Sequence, residues 1–207
     1  MTRVKVCGIT TLEDAFRAAD LGADAVGFIF YPKSPRYIPP PEAAEIIRGL
    51  PPFVASVGVF VDCPSGEIDS IAAACSLTAV QLHGSETPEF CDQFRMKVIK
   101  AFRVRDARIP PEIDRYRTDA ILLDAFVEGS PGGTGKTFSW EVAREAKRFG
   151  RVILAGGLNC ENIRDAIETV GPYAVDVSSG VETAPGKKDP IRLAEFLGTV
   201  KELRDPS

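Results

Sequence analysis

The sequence predicts a (β/α)8 barrel, and three observations support this prediction. Short apolar segments rich in β-branched residues alternate strictly with segments of helical spacing. Eight segments of each kind can be counted, and strands that alternate with helices pair in parallel through right-handed crossovers. No linker, low-complexity tract or change in composition divides residues 1–207, so we expect a single domain.

The strand candidates have the continuous apolar character of strands covered on both faces. They cover residues 3–9, 24–30, 55–61, 79–83, 97–103, 120–125, 152–156 and 174–178. The helix candidates cover residues 12–20, 41–50, 66–75, 87–94, 111–117, 138–149, 160–170 and 189–204. Pro88, Pro111 and Pro190 lie at or near first helical turns, where a missing N–H is tolerated. Asn159 is the predicted N-cap of the seventh helix.

An open doubly wound sheet is the alternative fold. It usually has about five or six strands, and its first turn carries a GxGxxG sequence. The first turn here is Cys7-Gly8-Ile9-Thr10, which does not match. We therefore expect the closed barrel, although a length of 207 residues lies at the lower end of its range.

Charge and cysteine usage argue against several classes of function. The formal net charge is −4, so no overall basic field exists to bind nucleic acid or an anionic membrane. No apolar stretch approaches the roughly 18 residues that span a bilayer, and residues 1–8 are typical of a strand rather than a signal peptide. The five cysteines are widely spaced without a CxxC pair, unlike a disulfide framework or zinc cluster. We expect a cytoplasmic protein with reduced thiols.

In a barrel of this type, the functional residues lie where the strands end. Cys7 lies near the end of the first strand and shares a face with Lys5, and a nearby ammonium or helix N-terminus would lower the pKa of the thiol. Cys7 is therefore a candidate base or nucleophile, or else a small buried apolar side chain. Asp124 ends the sixth strand as a carboxyl that could stay protonated and act as a general acid. Its alternative is an ordinary strand-end aspartate that accepts hydrogen bonds from loop N–H groups.

Two glycine-containing turns predict a phosphate site. Gly156-Gly157 follow the seventh strand and Ser178-Ser179-Gly180 follow the eighth, where barrels commonly bind phosphate. Glycine lets backbone N–H groups approach an anion, although either turn alone could be a simple tight turn. Arg36 lies in a proline-stiffened loop after the second strand, where it could bind a substrate carboxylate or remain solvated.

Two further features bear on cofactors. Residues 129–137 are rich in glycine, but Ser130 stands where a Walker A loop needs its first glycine. We expect this segment to be a mobile lid that excludes water on closing. His83 is the single histidine, which excludes a histidine-rich metal site. His83 is either a polar group at the barrel mouth or a satisfied core histidine, and we expect neither a metal nor a cofactor.

A set of motifs in chain order resembles the phosphoribosylanthranilate isomerase family. The motifs are VKVCGIT (4–10), SPRY (34–37), VQLHG (80–84), GGTG (132–135), LAGGL (154–158) and DVSSGVE (176–182), with PG at 185–186 and KD at 188–189. They extend from the first strand to the last helix, so the resemblance covers nearly the whole chain. It implies an enzyme of tryptophan biosynthesis that catalyses the Amadori rearrangement of N-(5-phosphoribosyl)anthranilate.

The resemblance also implies roles for individual residues. Cys7 takes the position of the family's general base, Asp124 that of the general acid, and Arg36 that of the contact to the anthranilate carboxylate. The positions that match the family's phosphate site are Gly157, Ser178, Ser179 and Gly180, and Asp176 is a further active-site carboxylate. The implied partner is a small phosphorylated substrate, bound by a monomer or a homodimer. Ser139 and Cys160 depart from the family's commoner aspartate and proline, which affects only helix ends and loop closure.

The chemistry of this reaction requires the same residue types, independently of the family resemblance. Opening the aminated ribose requires a proton at the ring oxygen, which suits a protonated carboxyl such as Asp124. The Schiff base that results acidifies the C2′ proton, which a thiolate such as Cys7 can remove. One alternative is a metal-dependent phosphosugar epimerase, for which a single histidine supplies too few ligands. Another is a phosphate-binding barrel that has lost catalysis.

Overall fold

Eight parallel strands close into a barrel in the computed structural model, which describes residues 1–104, 108–124 and 140–204. The strand order follows the chain order, and β1 pairs with β8 to close the ring. The strands are β1 (Arg3–Cys7), β2 (Ala25–Ile29), β3 (Ala55–Phe60), β4 (Ala79–Leu82), β5 (Lys97–Arg103), β6 (Ala120–Asp124), β7 (Val152–Ala155) and β8 (Ala174–Val177). The predicted closed barrel is confirmed, and the open doubly wound sheet is excluded.

Helices cover the outside of the barrel. They are α1 (Leu12–Asp20), α2 (Pro40–Gly49), α3 (Ser65–Cys75), α4 (Pro88–Cys91), α5 (Trp140–Ala146, continued by a 3-10 turn at Lys147–Phe149), α6 (Ile163–Val170) and α7 (Pro190–Arg204). The predicted helix at residues 111–117 is wrong, because that segment forms only a 3-10 turn, Ile113–Arg115. Ile113 is the one fully buried residue of the seven, too little apolar burial to stabilise a helix. No helix in the described ranges is both long and apolar enough to cross a membrane.

Some helix ends differ from the predicted ones. Helix α4 is shorter than expected, and α6 begins at Ile163 rather than at residue 160. The Asn159 side chain accepts hydrogen bonds from the N–H groups of Glu161 and Asn162, at 2.9 and 3.1 Å. Asn159 therefore caps the turn that precedes α6 rather than α6 itself. Residues 129–137, predicted as a lid, and Ser139 lie outside the described residues.

A short hairpin between β8 and α7 was not predicted. It follows a 3-10 turn at Ser179–Val181 and consists of β9 (Glu182–Ala184) and β10 (Lys187–Lys188). Strands of three and two residues are too short to show a period of two in the sequence. The hairpin matters because it brings Glu182 and Lys188 to the barrel mouth.

Alternation along the strands divides the apolar side chains between two cores. The outward-facing side chains, such as Val4 and Val6, pack beneath the helices. The inward-facing side chains fill the barrel, and they are Val57, Ala79, Ile99, Ala101, Ala120, Leu122, Ile153, Ala155 and Ala174. A strand has a period of two, so the inward face of β4 continues to residue 83 and that of β6 to residue 124. The same alternation therefore directs His83 and Asp124 into the mouth.

A buried ion pair anchors the loop after β4. Lys100 Nζ lies 2.9 Å from Glu86 Oε2, and the two side chains are 3% and 2% exposed. Lys100 also donates to the backbone oxygens of Leu82 and Gly84. Glu86 in turn accepts the N–H groups of Asp62 and Gly84. Each charge of the pair is thus both neutralised and hydrogen bonded.

We expect Glu86→Gln to lower the free energy of unfolding by about 3–5 kcal/mol, because Lys100 would keep a buried charge without a counter-ion. Urea unfolding followed by circular dichroism measures this change. The matched control is Arg164→Gln, which removes an exposed ion pair with Glu202 and should cost less than about 1 kcal/mol. Equal losses in the two variants would contradict the buried-pair argument.

Candidate active site

Cys7 ends β1 inside the barrel, next to Lys5. The two residues are 6% and 3% exposed, respectively. Both side chains point towards Gly27 on β2, where a Cβ in place of the glycine hydrogen would lie 2.8 Å from Cys7 Sγ and 3.0 Å from Lys5 Cε. The prediction that Lys5 and Cys7 share the inward face of β1 is confirmed.

Asp176 lies beside this pair on the neighbouring strand. Lys5 and Asp176 are register partners between β1 and β8, and Lys5 Nζ lies 2.8 Å from Asp176 Oδ1. The side chains are 4% and 9% exposed. The predicted further carboxylate is therefore placed at the inner wall of the mouth, where it holds the ammonium that faces Cys7.

Lys5 lowers the pKa of Cys7, as expected, but its effect does not decide the net direction of the shift. Burial raises the pKa of the Cys7 thiol, the charge of Lys5 lowers it and the charge of Asp176 raises it, and the net result lies above 9.0. For Lys5, burial lowers the pKa, but the charges of Asp176 and Cys7 outweigh burial and leave it raised. Cys7 therefore holds its proton at neutral pH, beside an ammonium that can stabilise a thiolate once one forms.

Asp124 ends β6 and meets the single histidine of the chain. Its Oδ2 lies 3.3 Å from His83 Nε2, and the two side chains are 21% and 20% exposed. His83 Nδ1 lies 3.0 Å from the amide nitrogen of Gln81, two residues earlier on β4. Of the two interpretations of His83, the structure supports a polar group at the mouth. Gln81 was not predicted, although its spacing of two from His83 places both on one face of the strand.

Arg36 reaches the same mouth from the loop after β2. Its side chain crosses Gly8 so closely that a Cβ at that position would lie 2.6 Å from Arg36 Cδ. Arg36 Nε donates to both carboxylate oxygens of Glu182, at 2.9 and 3.0 Å, and Nη2 donates to Oε2 at 2.6 Å. One edge of the guanidinium is therefore occupied. The edge formed by Nη1 and Nη2 still has N–H groups for a ligand carboxylate.

Glu182 and Lys188, from the hairpin, were not predicted as site residues. Lys188 Nζ donates to Glu182 Oε1 at 2.8 Å and to the Cys7 backbone oxygen at 2.6 Å. Burial raises the pKa of Glu182, but hydrogen bonds from Arg36 and Lys188 outweigh burial and hold that pKa below 4.5. Glu182 is thus ionised at neutral pH and orients Arg36. Both residues lie in the motifs of the family resemblance, but nothing local in the sequence indicates their burial.

The two predicted glycine turns meet beside β1. Gly156 and Gly157 have left-handed φ angles of 83° and 70°. A Cβ at Gly180 would lie 1.9 Å from the Leu158 backbone oxygen, so only glycine fits where the two turns touch. Within the described part of the chain, the Ser178 hydroxyl is buried without a hydrogen-bond partner, and Ser179 is exposed beside it. An unpartnered buried hydroxyl next to glycine turns is suited to an anionic ligand.

A cavity of about 460 Å³ opens at the mouth on the side of β3 to β5. Its wall includes Asp62, His83, Arg103 and Tyr116. Within the described ranges, no group of three or more His, Cys, Asp or Glu residues has the geometry to hold a metal ion. The thiol, carboxyl, ammonium and guanidinium groups at the mouth are of the kinds that transfer protons and bind anions.

A closed barrel with polar side chains gathered at the carboxyl ends of its strands is characteristic of a (β/α)8-barrel enzyme. A protein-family model described as N-(5'phosphoribosyl)anthranilate (PRA) isomerase matches residues 4–199. The chain belongs to this family.

Relatives and solved structures agree with this assignment. The N-(5'-phosphoribosyl)anthranilate isomerase of Geobacter sulfurreducens is 55% identical over 201 residues, which are 97% of this chain and 99% of the relative. The enzyme of Pelobacter propionicus is 52% identical over 207 residues, covering 100% and 99% of the two chains. The crystal structure of phosphoribosyl anthranilate isomerase from Thermotoga maritima has a TM-score of 0.91 and 50% identity, covering 97% of this chain and 99% of the other.

A second solved phosphoribosyl anthranilate isomerase is in complex with reduced 1-(o-carboxyphenylamino)-1-deoxyribulose 5-phosphate. It superposes with a TM-score of 0.88 at 47% identity and covers 97% of this chain and 99% of the other. A third structure, from Thermotoga maritima, is of monomers generated from a dimeric isomerase. It has a TM-score of 0.85 and 45% identity, with 97% and 99% coverage.

Proposed function

We propose that this chain catalyses the Amadori rearrangement of N-(5-phosphoribosyl)anthranilate to 1-(2-carboxyphenylamino)-1-deoxyribulose 5-phosphate in tryptophan biosynthesis. In this proposal Cys7 is the general base and Asp124 the general acid. The observation that carries it is the placement of a thiol and a carboxyl at the carboxyl ends of β1 and β6. Each has its own polar partner, Lys5 for Cys7 and His83 for Asp124.

The reaction begins with ring opening. Asp124 gives its proton to the ring oxygen, the bond between that oxygen and C1′ breaks, and the nitrogen lone pair forms a C1′=N bond. The small fraction of Cys7 present as thiolate then removes the C2′ proton, and the electron pair moves to give an enolamine. Protonation of C1′ and loss of the proton on O2′ give the ketone, so substrate and product are isomers. Lys5 supports this sequence because its ammonium stabilises the thiolate.

The two ends of the substrate are bound by separate groups. Gly157, Ser178, Ser179 and Gly180 hold the phosphate, and the unpartnered Ser178 hydroxyl supports this assignment. Arg36 binds the anthranilate carboxylate through its Nη1 and Nη2 edge, since Glu182 occupies the other edge. Asp176 contributes indirectly, through Lys5.

The proposed setting follows from the same residues. The catalytic unit is a single barrel domain over residues 1–207, and it acts on a small phosphorylated substrate without a cofactor or metal. The net charge of −4 supports the proposal that nucleic acid is not a partner of this protein. We also propose a monomer or homodimer that works in the cytoplasm, where the free thiols of its described cysteines stay reduced.

The function is tested with the purified protein and freshly prepared N-(5-phosphoribosyl)anthranilate, by following the loss of its anthranilate fluorescence. Complementation of a tryptophan auxotroph that lacks this step supplies the second readout. Activity should persist in the presence of a chelator. An active protein that is inhibited by the chelator would favour a metal-dependent reaction, and a protein without turnover would favour a barrel that only binds phosphate.

The rate at which iodoacetamide alkylates Cys7 should rise about tenfold for each pH unit between about pH 7 and pH 8. The thiolate is the reactive form, and a pKa raised above 9.0 keeps its fraction small but growing throughout this range. Peptide mass spectrometry of samples quenched over time separates Cys7 from the other four cysteines. A rate that levels off near pH 7 would show that the Lys5 ammonium outweighs burial after all.

Glu182→Gln should raise KM about tenfold and change kcat much less, because Arg36 would lose its bidentate partner and with it the fixed orientation of its free edge. Steady-state kinetics on the fluorescent substrate measures both constants. Glu13→Gln is the control, since Glu13 makes an exposed ion pair with Arg17 on α1 and should leave both constants unchanged. An unchanged KM in Glu182→Gln would show that Glu182 does not orient Arg36 for binding the substrate carboxylate.

A further inference from the structure

The inward face of β4 carries two polar side chains, Gln81 and His83, whose contacts lead to Asp124. The Gln81 amide nitrogen lies 3.0 Å from His83 Nδ1, and His83 Nε2 lies 3.3 Å from Asp124 Oδ2. Gln81 is 1% exposed. The two ends of this set of contacts therefore lie in different environments, since Gln81 is within the barrel and Asp124 is at the mouth.

Gln81 is an unexpected residue for that position. The neighbouring inward positions are apolar, and Ala79 precedes Gln81 on the same face. Within the described residues, the side-chain oxygen of Gln81 is buried without a hydrogen-bond partner. Such an oxygen costs about 1–3 kcal/mol compared with an apolar side chain of the same shape. The amide contact with His83 is therefore not explained by stability.

We infer that Gln81 is a positioning residue for the general acid, because its amide N–H donates to Nδ1 of His83 and fixes the tautomer that carries hydrogen on Nε2. A neutral imidazole has one donor and one acceptor nitrogen, so a donor at Nδ1 leaves the N–H at Nε2. Nε2 is the ring nitrogen that faces Asp124, 3.3 Å from its Oδ2. A neighbouring N–H disfavours a proton on Oδ2, so in this proposal the proton that Asp124 gives as general acid lies on Oδ1.

The opposite orientation of the Gln81 amide would defeat this arrangement. The amide oxygen would then accept Nδ1–H, and an unprotonated Nε2 would face Asp124. The carboxyl proton would be drawn to Oδ2 and held by His83 instead of being given to the ring oxygen. The tautomer of His83 thus determines which oxygen of Asp124 carries the proton that is given to the substrate.

Other polar groups surround this end of β4, and none replaces Gln81 at Nδ1. The charged and titratable groups that line the cavity beside His83 are Asp62, Lys100, Arg103, Glu112 and Tyr116. Lys100 is held by Glu86 and two backbone oxygens, and Asp62 accepts the N–H of Ser85. The ring nitrogens of His83 have their contacts with Gln81 and Asp124.

The single histidine of the chain makes the tautomer directly measurable. The full protein, with any histidine tag removed, is labelled with ¹⁵N-histidine, and long-range ¹H–¹⁵N correlation spectra show which ring nitrogen carries hydrogen. We expect the Nε2–H form in the wild-type protein at neutral pH. A predominant Nδ1–H form, or an equal mixture of both, would overturn the inference.

Two substitutions extend the test to catalysis. Gln81→Met keeps the size of the side chain and removes the donor, and Gln81→Glu replaces the donor with an acceptor that favours Nδ1–H. We expect kcat to fall about ten- to hundredfold in both variants, with KM within about twofold of wild type. The spectra should show a mixture of tautomers in Gln81→Met, and Nδ1–H in Gln81→Glu.

A merely structural role for Gln81 predicts a different pattern. It would lower the unfolding temperature of Gln81→Met and change KM, whereas we expect that variant to be at least as stable as wild type, since the unpartnered oxygen is gone. Gln93→Met, at an exposed position, is the control for the chemical change and should match wild type. A wild-type kcat in a variant whose tautomer has changed would overturn the inference.

This inference rests on the proposed role of Asp124 as general acid, and the two can fail separately. A wild-type protein without isomerase activity would refute the proposed function, whatever tautomer the spectra show. An active wild type with the Nδ1–H tautomer would refute the role of Gln81 and leave the proposed function intact.

Discussion

Asp124→Asn should lower kcat by about 10²–10⁴-fold, with a modest change in KM. The amide has no acidic proton to give to the ring oxygen, so the first bond-breaking step loses its acid. The size and shape of the side chain are kept, and an amide nitrogen or oxygen can still contact His83 Nε2, 3.3 Å from the carboxylate in the structure. Binding of phosphate and carboxylate at the two ends of the substrate should therefore be almost unchanged.

The matched control for this variant lies at the opposite end of the same strand. Asp119 immediately precedes β6 and makes an exposed ion pair with Lys97, on the side of the barrel away from the mouth. Asp119→Asn should keep wild-type kcat and KM in the fluorescence assay. Turnover near the wild-type rate in Asp124→Asn would refute the assignment of Asp124 as the general acid, because the amide cannot supply the proton itself.

Cys7→Ala should also lower kcat by about 10²–10⁴-fold, because it removes the group that takes the C2′ proton. The step that fails is different from that in Asp124→Asn, since the ring can still open before the proton is removed. Cys7→Ser should be similarly slow, because a hydroxyl forms an anion much less readily than a thiol. Steady-state kinetics and complementation of the tryptophan auxotroph measure the loss.

Cys75→Ala provides the control for removing a buried thiol. Cys75 is 2% exposed at the end of α3, on the outer surface of the barrel, so its loss should lower stability and leave kcat unchanged. If Cys7→Ala kept near-native turnover while Cys75→Ala behaved as expected, Cys7 would be a packing residue and not the base.

Most of the fold could be predicted from the chain because the signals are local. Strand and helix periods depend on residues within one turn or a few positions, and the alternation of the two kinds of segment leaves few topologies open. The elements that were missed lack such a signal. Residues 111–117 have a single buried apolar side chain at Ile113, and the strands of the hairpin, Glu182–Ala184 and Lys187–Lys188, are too short to show a period.

The site could be predicted in its positions but not in its electrostatics. The structure places Cys7, Asp124 and the glycine turns at the mouth, as expected, because a barrel directs the ends of its strands there. The lowering effect of Lys5 on the Cys7 pKa was predicted, but the net rise was not, because it depends on burial and on the charge of Asp176, which comes from a strand far away in sequence. The pairing of Arg36 with Glu182 likewise joins residues 146 positions apart.

The amino-acid sequence alone therefore determined the closed barrel, the end of the barrel that carries the chemistry and the residue types available there, since these depend on periodicity and chain order. Only the tertiary structure decided which side chains meet and how burial and neighbouring charges act on them, because both depend on contacts within a few ångströms across strands. The contacts that join Gln81, His83 and Asp124 illustrate this division between sequence and tertiary structure. The spacing of Gln81 and His83 on β4 is visible in the sequence, whereas the contact of His83 with Asp124 on β6 forms only when the barrel closes.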